Sequence, residues 1–499
     1  MKATIRTLAV LICAVLLLST FVSCGGEKDS NAESTPGTSA ESKNDVVETD
    51  PEDTARYDAN GYLMDDLPET YDWQKKDFTV YTWQEMAKWE WCEEMTENSG
   101  TVDLALYKRM QTIETRFNMN FKIITEKGNW DNRVNFVNKL YNNVSTNQSA
   151  YDLVGQYTQS AGGAATREIY LDLNEIAYLD LEKPWWPSAI SETATIGDKL
   201  YFATGDITPT LIRNVHCMYV NEDIYDAENI GNTFGKGRSM YDIVKDGDWT
   251  IELLMKMGID TVSDAGDKVG ITFGNLVSAD AFFYGAGFSL VDNDNGILSI
   301  SDDLVSASLI NVYDNVQKMY SGQYSDVKIE EDKSHNFKFK EGDSLFYAGS
   351  IADAQQLTEK GINFTILPMP MRDADQEGGY KTVASFWVTY YSIPIDAPNT
   401  EFSGMIMEAL ASEAHRNVKD VIYYDVFSSR YMTGESAELL DIVSKSVVFD
   451  TGRMFPEYIG SIWSAFRNGV KGSDAWTTIY EKDSGNWTIK IDSLYTLLG

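Results

Sequence analysis

Histidine is almost missing from this sequence, with 3 residues among 499, so a site built on clustered imidazoles has little to draw on. His216, His335 and His415 lie far apart, and His216 reads as a packed or surface residue of a strand. Cysteine is scarce too. Cys13, Cys24, Cys92 and Cys217 form no CxxC and no Cys/His cluster, which leaves no basis for a structural zinc site. Positive charge is in deficit, with 41 Lys and Arg against 76 Asp and Glu, a formal charge of −35. Phosphate neutralisation needs clustered Lys and Arg, and so does attraction to an anionic lipid surface, so neither nucleic acid nor direct membrane attraction is expected. The chain has no GxGxxG, no HExxH and no GxSxG. Its nearest approach to a phosphate loop, from Gly231 to Gly237, has the wrong spacing and a glycine where Ser or Thr would reach magnesium. No cofactor, no metal and no catalytic residue is expected.

Long apolar runs are also lacking, apart from Leu8 to Val22 at the amino terminus. That run is too short for a membrane span but suits the core of an export signal, with Lys2 and Arg6 as its basic flank. It ends in Phe21-Val22-Ser23-Cys24-Gly25, which resembles a bacterial lipobox, with Phe21 where such boxes usually carry Leu. The resemblance implies a signal peptide over 1–23 and lipidation of Cys24. Gly25 to Thr54 is dominated by Ser, Thr, Gly, Asn, Glu and Asp and has no aromatic residue. Such a segment buries too little apolar surface to order itself and reads as an acidic linker over 24–66. The expected location is the outer face of a cell membrane, held there only by the lipid. Loss of the signal would take the charge to −37.

What the chain has in plenty is aromatic surface, with 12 Trp, 28 Tyr and 21 Phe, and an alternation of strand and helix. Asp77 to Thr82, Phe121 to Ile124 and Tyr151 to Val154 read as strands. Between them, Val102, Leu106, Met110, Ile113 and Phe117 mark one face of a helix over 101–117, with Thr101 as its cap. A second helix is expected over 130–141. This alternation implies βαβ units and a mostly parallel sheet. It restarts with strands over 199–203, 216–220 and 269–272 and a short helix from Trp249 to Met257. Leu290 to Ile300 reads as a hairpin turning at Asn295-Gly296. A calcium loop fails there, because Gly296 at the sixth place would put Val291 at the first ligand position. The last third is richer in helix, over 401–411, 414–427, 437–447 and 458–470. No period of 20–50 residues recurs.

In order along the chain, DFTVYTW, YDLVGQ, GDKLYFATGD, HCMYVNEDIYD, GDWTIELL, YGAGFSLVDNDNG, FKEGDSLFYAGS, NFTILPMP and VVFDTGRMFPEYIGSIWSAF resemble the extracellular solute-binding proteins (family 1) of bacterial ABC importers. The branch they resemble is the carbohydrate-binding one that includes maltose-binding proteins. The resemblance runs from about Asp77 to the carboxyl terminus. It implies an α/β, two-lobed periplasmic-binding-protein-like fold (type II), with hinge strands, a ligand cleft and a helix-rich C-terminus. Crossings are implied near Gly205-Asp206, Gly349-Ser350 and Ser385-Phe386. The N-terminal lobe would then be 67–205 plus 352–385, and the C-terminal lobe 206–351 plus 386–499. Cys92 and Cys217 would fall in different lobes, which implies two free thiols.

A sugar offers C–H faces for stacking and many hydroxyls for hydrogen bonds, so its site needs Trp or Tyr beside Asp, Asn, Gln or Arg. The family pattern implies Trp83, Tyr157 with Gln156 and Gln159, Asp206, Trp387 and Trp463 as ligand contacts. Asn275 and Asp280 are further candidates, while Trp249 is expected to be structural and Trp185 and Trp186 are left open. After Gly349, where many sugar binders have Trp, this chain has Ser350-Ile351, so one stacking platform is missing. The implied function is capture of a carbohydrate by hinge closure and delivery to the transmembrane subunits of an ABC permease, by a monomer that breaks no bond. Two other readings stay open: a binding protein for an amino acid, peptide or polyamine, and a surface carbohydrate-active enzyme using paired carboxylates.

Overall fold

Strands that are apolar on both faces need cover on both sides, and here flanking helices supply it. The computed structural model describes residues 57–259, 268–274, 277–322, 324, 327–330, 337–427 and 434–499. The signal run, Cys24, Asn275 and most of the acidic linker lie outside the described residues. Residues 55–499 form one unit built around two main sheets.

In the first sheet β1 (Lys76–Trp83) lies between β2 (Met119–Glu126) and β3 (Leu153–Tyr157), parallel to both. β12 (Thr389–Ser392) adds to the free side of β3 in antiparallel register. From Phe78 to Trp83 every residue of β1 is buried. The helix Thr101–Phe117 covers this lobe with Val102, Leu106, Met110, Ile113 and Phe117, as its spacing predicts. Each such side chain contributes roughly 1.5–3 kcal/mol by leaving water. Its cap is Gly100 rather than Thr101: the Asp103 carboxylate accepts from the Gly100 N–H at 2.8 Å. The next helix starts later than expected, at Arg133, and runs to Ser145.

The second sheet has the order β10 (Phe364–Leu367), β4 (His216–Asn221), β9 (Ser344–Ser350), β5 (Val269–Gly274), β8 (Val327–Glu330). β4 is antiparallel to β9 and β10, while β5 is parallel to β9 and β8. β6 (Val291–Asp294) and β7 (Ile297–Ile300) form the expected hairpin. Asn295 and Gly296 take φ of 51° and 87°, the pair of left-handed residues that a two-residue hairpin turn requires.

The lobes are assembled differently from the expected division. The strand Phe364–Leu367, which the family resemblance places in the first lobe, pairs with β4 in the second sheet. The strand Thr389–Ser392, placed in the second, pairs with β3 in the first. The chain therefore does not change sheets at Gly349-Ser350. The short helix Asp353–Glu359 returns it to the same sheet, on the far side of β4. Sheet changes occur between Ala203, which bridges Tyr391, and Val215, which bridges Ala384, and again between Ala384 and Thr389. The last return is marked by β11 (Thr382–Val383) and β13 (Val447–Val448), which pair in parallel.

The carboxyl-terminal third is helical with shifted bounds. Thr400–Asn417 is one helix where two were expected to divide at Ala411, and it is followed by Lys419–Phe427, Gly434–Lys445 and Ile462–Lys471. The longest helix among the described residues, Trp476–Leu498, is one the sequence reading does not anticipate. Cys92 and Cys217 are unpaired. Among the described residues no helix is long and apolar enough to cross a membrane.

Trp185 and Trp186 are core residues. Both indole N–H groups donate to the Glu408 carboxylate, at 3.0 and 2.9 Å. Burial pushes the Glu408 carboxyl up to about 8, against the opposing pull of these donors. An acid raised in this way favours folding fully below its unfolded value, and that contribution is lost as pH rises through the folded value. Stability to urea should therefore fall between about pH 5 and about pH 8.5, with Glu408→Gln flattening part of the slope. An identical slope in wild type and variant would refute this.

Candidate functional site

The first lobe brings a layered aromatic group to the carboxyl ends of β1 and β3. Trp83 ends β1 and is fully buried, and Tyr157 ends β3. Their ring centroids are 5.3 Å apart, and Trp387 lies 5.7 Å from Trp83 and 6.5 Å from Tyr157. These spacings fall in the range of favourable aromatic contact. Trp387, at 45% exposure, is the open face of the group. Gly128 allows the packing: a Cβ there would sit 2.6 Å from the Trp83 Cβ.

Polar bonds fix the buried base of this layer. The Trp83 indole donates to Thr389 Oγ1 at 2.7 Å, and that hydroxyl donates to Glu90 at 2.7 Å. Glu90 also accepts from Tyr391 at 2.8 Å and Thr210 at 3.2 Å. Burial pushes the Glu90 carboxyl up to about 7, with the hydroxyl donors and the Arg109 charge opposing it. The Arg109 guanidinium donates to the main-chain carbonyls of Glu90 and Ile207. The Thr204 and Thr208 hydroxyls both donate to the Thr389 carbonyl, at 2.9 and 2.8 Å. The two segments that cross between the sheets are thus tied together beneath Trp83.

The second lobe contributes Trp463, half-buried on the helix Ile462–Lys471. Its ring lies 5.7 Å from Trp130 of the first lobe and 6.4 Å from Phe386 of the second crossing. Guanidinium groups lie against these rings: Arg453 at 3.8 Å from the Phe386 centroid, Arg467 at 4.8 Å from Trp463, and Arg133 at 3.6 Å from Trp130. Each is within cation–π reach. Asp280 holds two of them, accepting from Arg453 at 3.0 Å and from Arg467 at 2.9 Å, and all three are buried. Arg133 pairs with Glu457 at 2.8 Å, which with Trp130–Trp463 joins the lobes on this side. Burial raises the Tyr157 phenol, while Arg453, Arg133 and Arg467 pull it back.

Of the expected contacts, Trp83, Tyr157, Trp387, Trp463 and Asp280 fall in or directly behind this one region. Gln156 does not. It is buried within the first lobe, accepting from the Tyr170 hydroxyl at 2.7 Å and donating to Ser392 at 3.1 Å. Asp206 is engaged elsewhere, by His415 at 2.5 Å and Lys419 at 3.2 Å. It lines a separate cavity of about 320 Å³ with Pro187, Ile212, Tyr423 and Val447, and none of the aromatic residues named above lines it. Trp249 is structural, donating to the Pro368 carbonyl at 2.9 Å from full burial. The sequence reading missed Trp130, Phe386, Arg453 and Arg467. One signal was available: Trp463 and Arg467 are four residues apart on one helix and so share a face. Among the described residues no group of His, Cys, Asp or Glu is placed to hold a metal ion.

By sequence the chain matches no protein-family model and no curated protein. By structure it is similar to an extracellular solute-binding protein from Staphylococcus aureus in complex with maltose (TM-score 0.54, 11% identity, 86% of this chain and 99% of that one). It is also similar to the galacto-N-biose/lacto-N-biose I-binding protein of an ABC transporter from Bifidobacterium longum (TM-score 0.53, 11% identity, 86% and 99%). A third is the GacH receptor of Streptomyces glaucescens, solved unliganded and with acarbose (TM-score 0.53, 11% identity, 84% and 99%). At these identities the likeness shows the fold: an α/β, two-lobed periplasmic-binding-protein architecture.

Thr389→Val keeps the side-chain shape but strips Trp83 of its acceptor and Glu90 of a donor. It should cost about 1–3 kcal/mol, read as a lower urea midpoint at unchanged m-value. An unchanged midpoint would show that the Trp83–Thr389–Glu90 chain does not hold the platform.

Proposed function

We propose that the protein is the substrate-binding component of an ABC importer, capturing a carbohydrate between its two lobes and releasing it to a membrane permease. The observation that carries this reading is the gathering of Trp387, Phe386, Trp463 and Trp130 where the lobes meet, with charged donors behind them. Partly exposed indole and phenyl faces suit the C–H faces of sugar rings, and Arg side chains suit their hydroxyl oxygens. The fold supports it too, since the similar proteins with maltose and with lacto-N-biose are solute-binding proteins. Trp387 and Trp463 are assigned the stacking role, Trp83 and Tyr157 the base beneath Trp387, and Asp280 the holding of the arginines. Cys24 would carry the lipid that keeps the protein at the outer membrane face.

Capture is a shift between open and closed states. A ligand touching both lobes favours closure by its differential affinity for the closed form. No bond changes in this cycle.

A thermal-shift screen of sugars, amino acids and peptides tests the class of ligand, because a ligand bound only to the folded state raises its apparent stability. Sugars should shift the transition; a shift with peptides alone would remove the carbohydrate assignment. Trp387→Ala and Trp463→Ala should each weaken sugar binding about tenfold, about 1.4 kcal/mol, in calorimetric titration. Unchanged dissociation constants in both would show that the ligand binds elsewhere.

A further inference from the structure

A neutral sugar hydroxyl both donates and accepts, so a buried site for neutral sugars must offer free acceptors as well as donors. The polar lining of this cleft is weighted toward donors. Arg453 and Arg467 share a single carboxylate, Asp280, and both of its oxygens are taken. Close by, the Gln159 side-chain amide nitrogen and the Tyr284 hydroxyl are buried without a hydrogen-bond partner. Gln159 belongs to the site through its carbonyl oxygen, which accepts from the Tyr157 hydroxyl at 3.2 Å. Tyr284 belongs through Arg453, whose guanidinium lies 5.3 Å from its ring.

The Ser160 hydroxyl is likewise buried and unpartnered, and like that of Tyr284 it can donate or accept, so the donor excess rests on the two arginines and the Gln159 nitrogen against one unpartnered oxygen of Asp450. The other Asp450 oxygen accepts from the Leu290 N–H at 2.8 Å. Burial pushes the Asp450 carboxyl up to about 6, with the Arg453 charge opposing the rise.

The arginines are also pre-set. Arg453 is held by Asp280, by the Ala384 carbonyl at 3.2 Å and by the Phe386 ring. Arg467 is held by Asp280, by the Trp463 carbonyl at 3.3 Å and by the Trp463 ring. A guanidinium fixed in this way loses little freedom on meeting an oxyanion, and its planar fork matches a carboxylate or sulfate. We propose that the carbohydrate taken by this cleft is acidic, bearing a carboxylate or sulfate group that reaches the Arg453–Arg467 pair beside Trp463 and Phe386. The inference rests on the carbohydrate reading and narrows its ligand class.

The test titrates the full chain calorimetrically with three sets of probes. They are oligogalacturonides and their methyl esters, sulfated disaccharides and their desulfated forms, and neutral malto- and cello-oligosaccharides. A carboxylated or a sulfated probe should bind, and its uncharged counterpart should bind roughly 10- to 100-fold more weakly, the range expected for one or two charge-assisted hydrogen bonds. Which of the two sets binds identifies the oxyanion. Arg467→Lys, which keeps the charge but loses the fork, should weaken the charged probe and leave less of a gap to its uncharged counterpart. The ester comparison needs no variant, so a misfolded arginine mutant cannot decide the outcome. Neutral sugars binding as tightly as charged ones would overturn the inference while leaving the carbohydrate reading intact. If no sugar binds at all, the carbohydrate reading falls and the inference with it.

Discussion

Asp280 is the group on which the cleft depends. It sits on the helix Val277–Gly285 and receives one arginine from the short helix Thr451–Met454 and one from Ile462–Lys471. Through Arg453 the same carboxylate reaches the Ala384 carbonyl and the Phe386 ring of the crossing segment. Through Arg467 it reaches Trp463. Buried ions lose hydration, and removing one partner of such a set costs about 3–5 kcal/mol because the others are left uncompensated. The arrangement therefore contributes less to stability than to position. It holds two aromatic faces at one place and angle.

The first lobe solves the same problem with a less ionic node. Glu90, with a carboxyl raised by burial, gathers hydroxyls from Thr210, Thr389 and Tyr391, and Thr389 in turn receives the Trp83 indole. Both nodes converge on residues 384–391, the second crossing, where Phe386 faces one lobe's arginines and Trp387 lies on the other lobe's aromatic base. That short stretch both carries the chain from one sheet to the other and forms part of the candidate site. On the proposed reading, a ligand stacked on it would be sensed where the lobes turn, which is the coupling that hinge closure needs. Trp130–Trp463 and Arg133–Glu457 already join the lobes, and an ion pair with one exposed partner adds at most about 1 kcal/mol to that contact.

Much of the fold was legible because its signals are periodic. β1, the helix Thr101–Phe117 and the Asn295-Gly296 hairpin each follow from residue spacing or turn chemistry alone. The lobe boundaries were not, because pairing partners leave no local mark: nothing within Phe364–Leu367 or Thr389–Ser392 says which sheet each joins. The helix Trp476–Leu498 was hidden by Gly485 and by Asp483 and Ser484, which interrupt its apolar face, and it is held by buried Trp476 and Trp487 rather than by propensity. At the site, aromatic residues at strand ends were readable as Trp83 and Tyr157, and Trp387 and Trp463 from the family pattern. The roles of Asp280 and Gln156 were not, because a carboxylate or amide shows its partner only in three dimensions. Asp280 is spent on two arginines and Gln156 on Tyr170 and Ser392.

The central claim is that a carbohydrate binds across the aromatic residues that join the lobes. Four tryptophans, Trp83, Trp130, Trp387 and Trp463, stand in or against that region, so indole emission reports its occupancy. Tryptophan fluorescence titrated with acidic and neutral oligosaccharides should show a saturable change, accompanied by a smaller radius of gyration in solution scattering as the lobes close. Saturable binding of sugar with no change in indole emission would contradict the account, because it would place the ligand away from these rings.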